Sequence, residues 1–195
     1  HYRALAGATR LPVIIQTYNG SKTAPQPDVD LVVKLAAEHP DVYGYVKEES
    51  PGLKVNGRMA ELLKHKEIKT VLSGWGGKGW MFQGTKIGTR GVISQRPQYT
   101  SLMVKLWRAM EANDPSVDEL AMKWLYLRNC DDFLPSKDMR GWNLYTLMRL
   151  GLFRNMLSRV PKDEEGAKGW TLKETVLKPH EIAEAEHRLK LAGIL

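Results

Sequence analysis

Short apolar runs alternate with amphipathic stretches through the first half of the chain. Residues 11–18, 42–47 and 69–73 are apolar, each runs into a loop rich in Gly, Ser, Asn or Pro, and a shorter run, 91–94, follows. Runs of this length bounded by turn residues read as buried strands. Between them the period changes. Residues 28–39 (DVDLVVKLAAEH) form a helical pattern that begins at a plausible N-cap, Asp28 after Pro27, and stops before Pro40. Residues 55–66 place Met59, Leu62 and Leu63 on one helical face, and 80–87 predict a short third helix. Strands alternating with helices of this length imply βαβ units and a parallel sheet, so residues 1 to about 97 are assigned to the α/β class.

From Tyr99 the pattern is wholly helical. Residues 99–112 carry Leu102, Leu106 and Met110 at four-residue spacing, Asp114 caps 115–129, and 137–159 is apolar at helical period around Gly141 and Gly151. Residues 161–169 (PKDEEGAKG) read as an exposed loop, and Pro179 opens a last amphipathic helix running to about Ala192. No internal repeat or low-complexity tract interrupts this order.

Composition narrows the class. With 195 residues, 43% hydrophobic content and six Trp, the chain has the makings of a packed core, and no apolar stretch approaches the ~20 residues that span a bilayer. The single Cys130 leaves no internal disulfide and no cysteine-rich zinc site, which favours a reducing, cytoplasmic setting. The 29 Lys+Arg against 22 Asp+Glu are spread along the chain without a dense run, a pattern that fits an anionic small substrate or a solvated surface better than nucleic acid.

Four features carry candidate chemistry. Lys47 ends an apolar strand, and the carboxyl ends of parallel strands are where ligands bind. A desolvated lysine amine there is a nucleophile for carbonyl carbon; the plainer reading of the spacing is a strand-end lysine paired with Glu48 or Glu49. Tyr18 ends the first strand, and alternation places it on one face with Gln16 and Ile14, where a phenol could approach Lys47 as a proton shuttle or simply pack as an interface aromatic. Gly74 to Gly79 spells G-x-G-x-x-G, but no acidic residue follows the next strand to hold a ribose. A glycine-rich loop beside a small ligand, with no dinucleotide, is the more economical reading. His180 and His187 lie seven residues apart among glutamates, a solvated helix face before it is a metal site. No cofactor and no metal are called for.

With those residues in view, positions 1–112 resemble the second half of the dihydrodipicolinate synthase and N-acetylneuraminate lyase family of class I aldolases. His1-Tyr2-Arg3-Ala4-Leu5-Ala6 followed by Leu11-Pro12-Val13-Ile14-Ile15 looks like the helix and strand before that family's Tyr-Asn motif, here Tyr18-Asn19. Val46-Lys47-Glu48 looks like its Schiff-base lysine motif, Leu72-Ser73-Gly74 like the next strand end, and Gly88 with Gly91-Val92-Ile93-Ser94 like its eighth-strand motif. The tail, 177–195, looks like its closing helix. The resemblance implies a (β/α)8 barrel with a C-terminal helical extension, assembled as dimers or tetramers. It further implies a lysine that forms an imine with pyruvate or another 2-keto acid, and a tyrosine that relays protons. Carried over, Lys47 is the imine former, Tyr18 the relay, and Gly74 and Ile93 line the pocket, Ile93 through its backbone.

The chain also departs from that pattern. Where the family usually has Pro two residues after the Asn and, in the synthases proper, an Arg for a substrate carboxylate, this chain reads Asn19-Gly20-Ser21-Lys22-Thr23, leaving Lys22 as a candidate anion handle. One extra residue separates Gly44 from Lys47, so either the strand bulges or Tyr45 sets a ring beneath the lysine. Trp75 stands where an Asp is common. These changes point away from lysine biosynthesis and toward another keto acid or aldehyde, sugar acids included. A full barrel takes roughly 250 residues, and only strands resembling the fifth to eighth are present. The expected organisation is therefore half a barrel over residues 1–98, then the last barrel helix and an all-helical extension over 99–195, as the C-terminal part of a longer chain. The competing reading is a non-catalytic barrel relative that binds a metabolite or mediates oligomerisation.

Overall fold

Ile15, Val46 and Val71 are almost fully buried, whereas their neighbours along the chain are partly or wholly exposed, and this alternation defines the first sheet. The structure, a computed structural model, describes residues 1–18, 26–50, 54–74, 79–94, 96–130, 140–161 and 169–195. Among these, β1 (Ile14–Gln16), β2 (Tyr45–Glu48) and β3 (Thr70–Ser73) form a parallel sheet in the order β1-β2-β3. The register sets Ile14, Ile15 and Gln16 opposite Tyr45, Val46 and Lys47, and Lys47 opposite Leu72. Helix α1 (Tyr2–Ala8) precedes the sheet, and α2 (Val29–Glu38) and α3 (Lys54–Leu62) connect its strands. Val32 and Leu35 of α2 and Met59 and Leu62 of α3 pack on Ile15, Val46 and Val71 in one apolar cluster. The Asp28 carboxylate accepts the Leu31 N–H at 2.7 Å, so the cap expected at Asp28 is in place.

The extra residue before Lys47 makes no bulge, because the β1–β2 register runs without a slip through Tyr45, Val46 and Lys47. Gly44 leads the chain into β2 at a φ of +117°, which only glycine adopts without strain, and its carbonyl accepts from both Lys69 N–H and Thr70 N–H. Tyr45 shares the face of Lys47, and its ring carries the Lys69 ammonium 5.3 Å from its centre.

The fourth expected strand, 91–94, is reduced to a single parallel bridge between Ser73 and Val92. Ser73 N–H donates to the Gly91 carbonyl and Ile93 N–H to the Ser73 carbonyl, both at 2.9 Å, but Gly91 sits at φ +138° and breaks the extended run. The third helix is a single turn, α4 (Trp80–Phe82), that widens into a π turn over Gln83–Ile87 and closes at Gly88, φ +94°.

The chain divides into two compact units, His1–Gln95 and Arg96–Leu195. In the second, α5 (Thr100–Ala112), α6 (Val117–Arg128), α7 (Arg140–Arg149) and α8 (Pro179–Leu191) bury Leu106, Trp124, Leu127, Trp142 and Leu189. Tyr99 meets Trp124 edge-on at 6.0 Å between ring centres and Trp142 at 6.3 Å. The expectation of an all-helical second half is corrected here. The helix foreseen over 137–159 ends at Arg149, where Gly151 turns the chain at φ +72°, and β4 (Leu157–Pro161) pairs antiparallel with β5 (Trp170–Glu174).

Candidate active site

Period-two alternation decides which side chains meet at the carboxyl end of the sheet. Tyr45 and Lys47 point to the face away from α2 and α3, and Glu49, one residue past β2, keeps their parity. The Lys47 ammonium lies 2.9 Å from Glu49 Oε2, and both side chains are nearly buried, at 12% and 10% exposure. Gln16, in register with Lys47 on β1, donates from Nε2 to the same Glu49 oxygen. Of the two pairings weighed for a strand-end lysine, the structure shows the one with Glu49.

Glu48 has the opposite parity and a different task. Fully buried, it accepts the Ser50 N–H at 2.9 Å and the Ser50 hydroxyl on Oε1, and lies 3.3 Å from Arg58 Nε of α3 through Oε2. Arg58 also donates to the Pro27 carbonyl at 2.8 Å. A buried carboxylate held by two N–H donors and a hydroxyl is compensated for its lost hydration, and it pins the turn that follows Lys47. Thr17 joins this turn to β1: its N–H donates to the Lys47 carbonyl at 3.1 Å and its hydroxyl accepts the Glu49 N–H at 2.9 Å. Gln26 adds donors to the Thr17 carbonyl and the Ser50 hydroxyl.

Gly74, expected to line a pocket, serves this cluster sterically. Its N–H donates to the Glu48 carbonyl at 3.0 Å, and a Cβ at this position would stand 2.8 Å from that oxygen and 2.9 Å from both Cβ and Cγ of Glu49. Only glycine lets β3 approach so closely, so Gly74 fixes where the Glu49 side chain can lie. Ile93 is half-buried with its N–H committed to Ser73. Tyr18 lies two residues beyond the end of β1 and is 51% exposed, and the residue directly across from Lys47 is Gln16. Lys22, and residues 75–78 of the glycine-rich loop, lie outside the described residues.

Sequence reasoning placed Gln16 on the correct face but assigned it no role, and it left Glu48 and Glu49 undistinguished. The signal was available in the alternation of positions 45, 47 and 49 against 46 and 48. Among the described residues, no group of three or more His, Cys, Asp or Glu is placed to hold a metal ion, and no helix is long and apolar enough to cross a membrane.

No protein-family model and no curated protein matches the sequence. Solved structures do match the fold. Dihydrodipicolinate synthase from Aquifex aeolicus superposes with a TM-score of 0.68 at 21% identity, over 100% of this chain and 59% of its own. A monomeric dihydrodipicolinate synthase variant matches with a TM-score of 0.72 at 19% identity, over 100% and 59%. The Acinetobacter baumannii enzyme, solved in complex with pyruvate, matches with a TM-score of 0.65 at 23% identity, over 100% and 60%. The likeness establishes an α/β fold shared with part of the dihydrodipicolinate synthase barrel, and this chain spans about 60% of the length of the structures it matches.

Proposed function

We propose that the protein is a class I aldolase-type lyase that forms an imine between Lys47 and pyruvate or another 2-keto acid. The observation that carries the reading is Lys47 at the carboxyl end of the middle strand, on the face the helices leave open, in a fold shared with dihydrodipicolinate synthases. An amine there can add to a keto carbon. Loss of water gives an iminium that draws electrons from the neighbouring carbon, which then bonds to, or parts from, a second carbonyl compound. Tyr18, on the parity of Gln16 and Lys47, is the proposed proton relay. Gly74 and Ile93 bound the pocket, and Lys22 is the handle for a substrate carboxylate. The first unit is then the second half of a (β/α)8 barrel, and the assembly a cytoplasmic homo-oligomer that needs no cofactor and binds neither nucleic acid nor membrane. The departures at Gly20 to Thr23 favour a second substrate other than that of lysine biosynthesis.

The test is reductive trapping. Incubating the intact protein with pyruvate and borohydride should add the reduced keto acid to the peptide containing Lys47, and Lys47→Ala should abolish the adduct and turnover together. A second reading, a barrel relative that binds a metabolite without turning it over, is favoured by the run Asn19 to Thr23, which carries no Arg for a substrate carboxylate. Keto-acid binding without an adduct would select it.

A further inference from the structure

Resting on the imine reading above, we propose that Glu49 is a catalytic residue that takes the proton from the Lys47 ammonium and returns it to the departing hydroxyl, with Gln16 as the residue that positions it. A lysine attacks only as the free amine, so a group in contact with Nζ must accept a proton before carbon–nitrogen bond formation. Glu49 Oε2, at 2.9 Å, is within transfer distance. The surroundings hold it there from two sides, the Gln16 amide donating to the same oxygen and the Thr17 hydroxyl fixing the Glu49 N–H, while Gly74, where a Cβ would stand 2.9 Å from its Cβ and Cγ, leaves the room it occupies.

The protons balance without outside help. Glu49 accepts one from the ammonium, and the amine adds to the carbonyl carbon as the carbon–oxygen π bond opens. A second proton then moves from nitrogen to the new oxygen. Glu49 gives its own to that hydroxyl, which leaves as water while the nitrogen lone pair closes the iminium. The ammonium and the ketone have become an iminium and water, and Glu49 is a carboxylate again. Lys47 and Glu49 are themselves nearly buried, at 12% and 10% exposure, so a charge relayed between them needs little solvent reorganisation, which is the advantage of a preorganised base. The role is additional to that proposed for Tyr18 as proton relay, since Glu49 is the group in contact with Nζ.

Reductive trapping of the intact protein with pyruvate, followed in time, tests the assignment. Glu49→Gln keeps the shape and the hydrogen bond to Gln16 but cannot carry the proton; it should slow adduct formation roughly 100-fold while the final extent of adduct on Lys47 stays at the wild-type level. Gln16→Leu should slow it several-fold, Glu49→Asp should restore most of the rate, and added acetate should speed the Glu49→Ala variant. Adduct formation by Glu49→Gln at the wild-type rate overturns the assignment and leaves the imine reading intact. Slowing that acetate does not relieve assigns Glu49 a structural part only and overturns it as well. Failure of the wild-type protein to form any adduct removes the imine reading, and this inference with it.

Discussion

At the scale of single residues, the consecutive glutamates after Lys47 show how parity divides labour. Glu49 faces the lysine, whereas Glu48 turns into the layer beneath and binds Arg58 and Ser50. The residue type carries no such distinction, and the sequence patterns weighed for Lys47 treated the pair as interchangeable. Gly74 makes the same point. Its place at a strand end was legible, but its purpose depends on an approach between β2 and β3 that no local pattern encodes. A methyl group there would meet the Glu48 carbonyl at 2.8 Å, and backbone atoms cannot retreat as a side-chain tip can. Gly74→Ala is therefore expected to cost about 1–3 kcal/mol in stability, the range for overpacking, and to weaken the Lys47–Glu49 contact. Denaturant unfolding measures the first effect and the pyruvate trapping rate the second; an unchanged midpoint and rate would show that the strands move apart freely.

At the scale of elements, the helices with a clean period and a recognisable cap were readable: α2 follows from Asp28, its apolar face and Pro40. What the pattern missed are elements set by tertiary context. The stretch after Gly151 has helical spacing, yet it forms β4 because a strand 13 residues on, counting from Leu157 to Trp170, pairs with it. A further tertiary contact joins α7 to α8. Glu186 accepts a hydrogen bond from Tyr145 at 2.7 Å and is forked by Arg149. The Arg149 hydrogen bond holds the Glu186 carboxyl below the usual carboxylate range, while burial, aided by the bond to Glu186, pushes the Tyr145 phenol up to about 12. The signs follow from linkage. Depression of the Glu186 value in the fold contributes stability that is present above the ordinary carboxylate range and is lost as pH falls through the lowered value. Elevation of Tyr145 contributes stability that is present below its ordinary value of 10.0 and is lost as pH rises toward about 12. Thermal unfolding of the protein across pH should show both limbs, with Glu186→Gln flattening the acid one and Tyr145→Phe the alkaline one. Limbs that persist in both variants would place the titration elsewhere.

At the scale of the whole molecule, the described helices of the first unit cover one side of its sheet. Ile15, Val46 and Val71 are sealed by α2 and α3, but the other face presents Ile14 at 48% exposure beside Gln16, Tyr45 and Thr70. β1 is also the outer strand of the three, with Leu11 at 72% exposure just before it. Among the described residues no strand pairs with the outer edge of β1, and exposed apolar side chains such as Ile14 and Leu11 beside such an edge are a template for association. In the solved structures of similar fold, a further 40% or so of the chain lies beyond the part matched here, and the remaining strands of a barrel are what would cover such a face. A protein of these 195 residues alone should therefore bind the hydrophobic dye ANS and self-associate in sedimentation. Ile14→Lys, a charge set on the open face, should reduce both, and a chain carrying the full barrel should not bind the dye. On the imine reading proposed for Lys47, closing that face would exclude water from the site further, so pyruvate trapping should be slower in the 195-residue protein than in a chain carrying the full barrel. Monomeric sedimentation without dye binding would mean that the face is already covered within these residues, and trapping at equal rates would mean that the pocket needs no further strands.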